Sequence, residues 1–128
     1  MVPQDILVHL DDGPHCHVRV DVAFALARRF QAHLTGLWVT DIPATEYFFG
    51  ASMPFATADA NGIVDRLRQT AMVAAAAAEG PFRDRLRRED LRGEWRHVSG
   101  ETPELLALHA RYADLTIVGQ PNPNERRD

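Results

Sequence analysis

The chain has 128 residues, 45% hydrophobic and 25% charged, with a formal net charge of -4. That length fits one domain able to bury about two-thirds of its unfolded surface, and the balance excludes a disordered chain and a general nucleic-acid binder, which is usually basic. A single cysteine, Cys16, excludes a disulfide scaffold and a four-thiolate zinc site, and all 14 Lys+Arg residues are arginine, which excludes a lysine Schiff base, a P-loop lysine and the conserved-role lysine of receiver-type signalling domains.

Residues 5–11 (DILVHLD) are apolar on both parities near their middle, which predicts a strand covered on both faces. Asp12, Gly13 and Pro14 predict a turn and a helix start, with Asp12 as the capping side chain. Apolar residues recur at Val18, Val22, Ala25, Leu26 and Phe30, a spacing that predicts a helix over residues 15–31. Residues 33–40 (HLTGLWVT) predict the second strand. Residues 41–62 carry Pro43, Gly50 and Pro54 and the large side chains Tyr47, Phe48, Phe49, Met53 and Phe55. So long a connection without periodicity predicts a functional loop or a partner surface, and an interface is preferred to a lid stacked on a base.

A second helix is expected from Asp59 or Gly62 to Glu79. Gly80-Pro81 interrupts the pattern; proline suits a first turn, so the helix is predicted to restart there and to run to about Leu91. Within it, Asp84 and Arg88, and Arg85 and Glu89, are opposite charges one turn apart. Residues 93–98 (GEWRHV) mix charge with apolar side chains and predict a third strand at a sheet edge. Thr102, Pro103 and Glu104 predict a helix start capped by Thr102, with Leu105, Leu108 and Tyr112 along one face. Residues 114–119 (DLTIVG) predict the fourth strand, and residues 121–128 a polar flexible tail after a domain spanning 1–120.

The order β-α-β-α-β-α-β specifies an α/β fold, an open doubly wound parallel sheet with helices on both faces. The first and fourth strands read as the most buried and the third as an edge, which predicts the spatial order 3-2-1-4. Winding then reverses between strands one and four. Ligands of open α/β sheets bind outside the carboxyl ends of the strands at such a reversal. Here those ends are Asp11, Asp12 and Gly13, and Gly119 and Gln120.

Residues 5–11 resemble the opening strand of the universal stress protein family, which ends in an aspartate. Residues 23–32 (AFALARRFQA) are similar to the end of its first helix, and residues 34–39 to its second strand. Residues 109–119 (HARYADLTIVG) are similar to the family's A-x-x-x-x-A-D-L-I-V-x-G run. The likeness extends from about residue 5 to residue 120, and the ordered set carries it rather than any one motif. It implies a sheet of five strands in the order 3-2-1-4-5, with ATP at the switch point in many members. The site residues it implies are Asp11, Asp12, Gly13, Val39, Gly119 and Gln120. Asp11 would meet the ribose or base, Val39 would present backbone to the adenine, and Gly119 would open the phosphate loop. ATP or ADP with Mg2+ is the implied cofactor.

The chain departs from that loop. Gly119-Gln-Pro-Asn122 has asparagine where the family's second glycine stands, and the distal G-[ST] and fifth strand are not in the sequence. The fifth strand is a family sheet edge that often pairs across a dimer. Its absence predicts an open edge on strand four, an association hazard. The expected partner is a second copy or a tandem sister domain, with this chain the first part of a longer protein or a truncated form.

Asp11 and Asp12 together oppose phosphates unless Mg2+ intervenes. With no lysine, only backbone amides, Arg126 or Arg127 were available in sequence to offset them, which predicts weak ATP binding. His15-Cys16-His17 sits at a helix start, where a thiolate is favoured. Adjacent helical residues do not share a face, however, so even with His9 no metal site is expected and a solvated helix start is preferred. Residues 83–96 hold six arginines interrupted by four acids, which predicts a solvated face. His97 and His109 have no partner legible in sequence.

There is no nucleophile elbow and no acid–base pair, and Ser52 and Ser99 stand in no catalytic setting, so no catalytic residue is expected. The reading is a stress-responsive regulatory domain that dimerises and binds an adenine nucleotide weakly. The alternative is a nucleotide-handling enzyme of related α/β architecture, for ATP hydrolysis or phosphate transfer; the missing lysine speaks against it. A receiver-like domain would need an aspartate at the end of strand three, where Val98-Ser99-Gly100 stands. No secretory signal and no apolar run near ~20 residues is present, so the expected location is cytoplasmic, without membrane or nucleic-acid partners.

Overall fold

The computed structural model describes residues 2–40 and 58–119. Among them, strands β1 (Asp5–Leu10), β2 (His33–Thr40), β3 (Gly93–Ser99) and β4 (Leu115–Ile117) alternate with helices α1 (Cys16–Phe30), α2 (Ala58–Arg88) and α3 (Thr102–Ala110). The strands form one parallel sheet in the order β3-β2-β1-β4, as the alternation predicts. Asp5 to Leu10 of β1 pair with His33 to Trp38 of β2. On its other side, Ile6 to Val8 pair with Leu115 to Ile117 of β4. The aromatic segment 47–55 and the tail 121–128 lie outside the described residues.

Alternation along the strands sends two sets of side chains to opposite faces. Ile6, Val8, Leu10, Leu34 and Trp38 meet Phe24 and Ala27 of α1 and Phe82 and Leu86 of α2 in one apolar cluster. Phe24 is fully buried, a contribution of roughly 1.5–3 kcal/mol by transfer alone. Its ring stands edge-on to Phe82 at 5.4 Å, and Phe82 lies 5.5 Å from Trp95 of β3. Gly36 makes this possible: a Cβ there would come within 2.9 Å of the Phe82 ring. On the other face Leu7 and Leu37 are buried, and Arg96 of β3 donates to His109 Nδ1 of α3 at 3.1 Å. Helices therefore cover both faces.

Both long helices end without glycine. Gln31 and Asp90 take left-handed backbone, φ 51° and 54°. Ala32 N–H then bonds Ala27 O, and Leu91 N–H bonds Leu86 O, each at 2.9 Å. That back-bonding satisfies carbonyls the helix leaves open. Charge ties the two helices together: Arg85 bonds Asp21 and Glu89, Arg28 reaches Glu89, and the Arg85 guanidinium lies 4.3 Å over the Phe24 ring. The arginine-rich stretch is thus partly an inter-helix clamp rather than only a solvated face.

Several local expectations are corrected. The buried stripe of α1 is Arg19, Ala23, Phe24 and Ala27; Val18, Val22 and Ala25 of the expected stripe are exposed, while Leu26 and Phe30 are half-buried. Asp12 does not cap α1. His15 holds the cap position and no side chain bonds there. Helix α2 runs unbroken through Gly80-Pro81. Proline forfeits one helical hydrogen bond, but Ala75, Phe82 and Leu86 are all buried on either side of it, and that packing holds the helix through the defect. Asp84 pairs with Arg87 rather than Arg88. In α3, Glu101 rather than Thr102 holds the cap position, again without a side-chain bond. None of its residues is buried, and Leu108 and Tyr112 are exposed rather than packed. Strand β4 is short and half-buried, because among the described residues it has one neighbouring strand where a central strand has two. His97 has a partner after all, Thr40 Oγ1 at 2.7 Å from its Nε2.

Candidate functional site at the carboxyl ends of β1 and β4

The chain leaves β1 at Leu10 and turns through Asp11 to Pro14 into α1. Asp11 Oδ1 accepts the Gly13 N–H at 2.9 Å, which folds the turn back on its own carboxylate. Gly13 eases that approach, since a Cβ there would lie 3.0 Å from the same oxygen and the carboxylate would have to shift.

One turn into α1, Arg19 reaches back under this turn. Its Nη1 donates to His9 O at 2.8 Å and its Nη2 to Asp11 Oδ1 at 3.2 Å. The Arg19 side chain is only 8% exposed, whereas that of Asp11 is 41% exposed. The same guanidinium lies against Gly119 beyond β4: a Cβ on Gly119 would sit 3.0 Å from Arg19 Cζ. One buried cation therefore touches the ends of both switch-point strands.

Electrostatics follow the geometry. Burial pushes the Asp11 carboxyl up, but the Gly13 N–H, the Arg19 cation and His9 outweigh it and hold the carboxyl below its ordinary value. Burial lowers His9, with Asp11 pulling it up and Arg19 pushing it further down. The site thus offers an ionised carboxylate whose Oδ1 is engaged twice by its own chain.

Among the expected site residues, Asp11, Gly13 and Gly119 come together around Arg19. Val39 is half-buried on β2, one residue beyond Trp38, the partner of Leu10. Asp12 is exposed beside them. Gln120, Asn122, Arg126 and Arg127 lie outside the described residues. Arg19, rather than backbone amides or the arginines of the tail, supplies the positive charge beside Asp11. Arg19 shares one helical face with Ala23 and Ala27, a four-residue spacing present in the sequence, but nothing in that spacing points Arg19 at Asp11. His15 and His17 are exposed with Cys16 half-buried between them. No group of three His, Cys, Asp or Glu that could hold a metal ion occurs among the described residues.

Solved structures match this architecture. Universal stress protein UspA from Lactobacillus plantarum superposes with a TM-score of 0.69 at 21% identity, over 96% of this chain and 83% of that one. A protein of the universal stress protein family from Burkholderia pseudomallei gives 0.63 at 24% identity, over 91% and 81%. The fold is that of the universal stress proteins. No family model matches the chain, and no curated protein matches it in sequence. Against the five-stranded sheet that the resemblance implied, the described residues of this universal-stress-protein-like domain supply four strands, β3-β2-β1-β4. None of their helices is long and apolar enough to cross a membrane.

Proposed function

We propose that the chain is a stress-response or regulatory domain that binds an adenine nucleotide weakly at the β1/β4 switch point and associates through its β4 side. The observation that carries the nucleotide reading is the convergence of Asp11 and Gly119 on Arg19, at the place where open α/β sheets take ligands. The ligand class is ATP or ADP, accompanied by the Mg2+ its phosphates carry, in a cytoplasmic setting. Asp11 receives the sugar or base, Val39 offers backbone to the adenine, and Gly119 and Gln120 are the residues assigned to the phosphates. Weak binding is expected because the cation at the site is already spent on Asp11 and His9 O.

Association is supported by β4 at the sheet edge and by Leu108, Tyr112 and Val118, which are exposed close to it in sequence. The partner is a second copy or a tandem sister domain. Native mass spectrometry of gently purified protein reads both halves at once. A mass of two chains, and a further increment of one nucleotide per chain with ATP and Mg2+, is expected. A bare monomer unchanged by ATP and Mg2+ contradicts both.

A further inference from the structure

The carboxylate of Asp11 is asymmetric. Its Oδ1 receives two donors, the Gly13 N–H and Arg19 Nη2. Those two bonds orient the carboxylate and, among the described residues, leave Oδ2 as the acceptor for anything outside. The Asp11 side chain is partly exposed, so the carboxylate is not closed off from outside. The cation that orients it cannot be reached equally well, because Arg19 is buried, bonded to His9 O and lies against Gly119.

We infer that Arg19 is the positioning residue of this site, holding Asp11 so that a single carboxylate oxygen is left for a neutral donor of the ligand, and that this pairing makes the nucleoside contact independent of Mg2+. This inference rests on the nucleotide reading and deepens it. The alternative use of Asp11, as a ligand to the Mg2+ of a nucleotide, is disfavoured by charge. A guanidinium 3.2 Å from one oxygen already neutralises the carboxylate and repels a second cation. A neutral donor meets no such opposition, and a bond from it to an ionised acceptor is a strong one. Paired with Arg19, Asp11 carries little net charge toward a phosphate, and the exposed Asp12 is the acid next to it.

Arg19 acts through Asp11, so its test needs a readout beyond affinity. Adenosine and ATP are titrated calorimetrically into the full chain, each with and without Mg2+, and the Asp11 carboxyl is followed by carbon NMR as a function of pH. For the wild type, adenosine is expected to bind within about threefold of ATP and within about threefold with or without Mg2+. Arg19→Met is expected to weaken adenosine at least tenfold and to raise the pH at which Asp11 titrates, since burial remains while the cation is gone. Binding then fails at correspondingly higher pH. His9 on β1, the other titratable group that acts on Asp11, and Asp12, its neighbour in the chain, are unchanged in that variant. Arg19→Lys keeps the charge without the fork, and is expected to recover the Asp11 titration and part of the affinity. Urea midpoints of both variants separate lost folding from lost positioning.

The inference is overturned if Arg19→Met binds adenosine and titrates at Asp11 as the wild type does. It is equally overturned if the wild type binds ATP only with Mg2+ and ignores adenosine. Should neither ligand bind the wild type, the nucleotide reading fails and the recognition half of the inference with it. The Asp11 titration then still decides whether Arg19 holds the carboxylate.

Discussion

His9 and Asp11 sit two residues apart on opposite sides of a charge balance set by Arg19. Asp11 is held ionised, and His9 is held neutral by burial and by the same guanidinium. A histidine lowered in the folded state contributes stability that is complete above its unfolded value of 6.5 and is lost as pH falls toward its folded value. The urea midpoint of the chain should therefore decline as pH drops below 6.5, and His9→Gln should flatten that part of the curve. An unchanged slope in His9→Gln would assign the decline to other groups. At this scale the sequence was legible where a residue acts on its neighbours: Asp11 and Gly13 lie in the turn that the run DDGP announces. It was illegible where a residue acts across a fold-back. Arg19 stands eight positions from Asp11, and pairing patterns along a single helix or strand do not reach that far. The Arg96–His109 contact is hidden for the same reason, since it joins a strand to a helix on the far side of the sheet.

Elements were recognised better than their ends and faces. Strand β2 matches its expected range, and β1 and β3 differ from theirs by one residue, because Val, Ile, Leu and Trp runs bounded by turn residues leave little choice. The Gly80-Pro81 pair misled, since local propensity favours a break there while the tertiary contacts of Phe82 and Leu86 do not. This gives a direct test. Pro81 is exposed, and Pro81→Ala returns the missing helical N–H and removes the ring, so it should raise stability by up to about 3 kcal/mol in urea denaturation. A loss of stability would mean that α2 needs the defect at this position. The stripe on α1 was misread for a related reason: Val18 and Val22 are more apolar than Ala23 and Ala27, yet small side chains are what close packing of a helix on the sheet requires.

For the whole molecule, strand order was legible and completeness of burial was not. Alternation of strand and helix with right-handed crossovers leaves few sheets to choose from, and the mixed charge of residues 93–98 put β3 at an edge. Strand β4 is only half-buried, because among the described residues it pairs with β1 alone. Its apolar residues are what a central strand carries, so their pattern alone pointed to a deeper position. The parallel pairing of β1 with β4 is what brings Asp11 and Gly119 to one cation, and it makes the candidate site a property of the sheet rather than of any motif.

Titration of ATP into nitrogen-15-labelled protein, followed residue by residue in proton–nitrogen spectra, tests that site most directly. Saturable shifts concentrated at Leu10 to Gly13, Arg19 and Val118 to Gly119 are expected, with the far ends of the same strands, at Asp5 and Leu115, unmoved. Shifts gathered away from the ends of β1 and β4, or none at millimolar ATP, would contradict it.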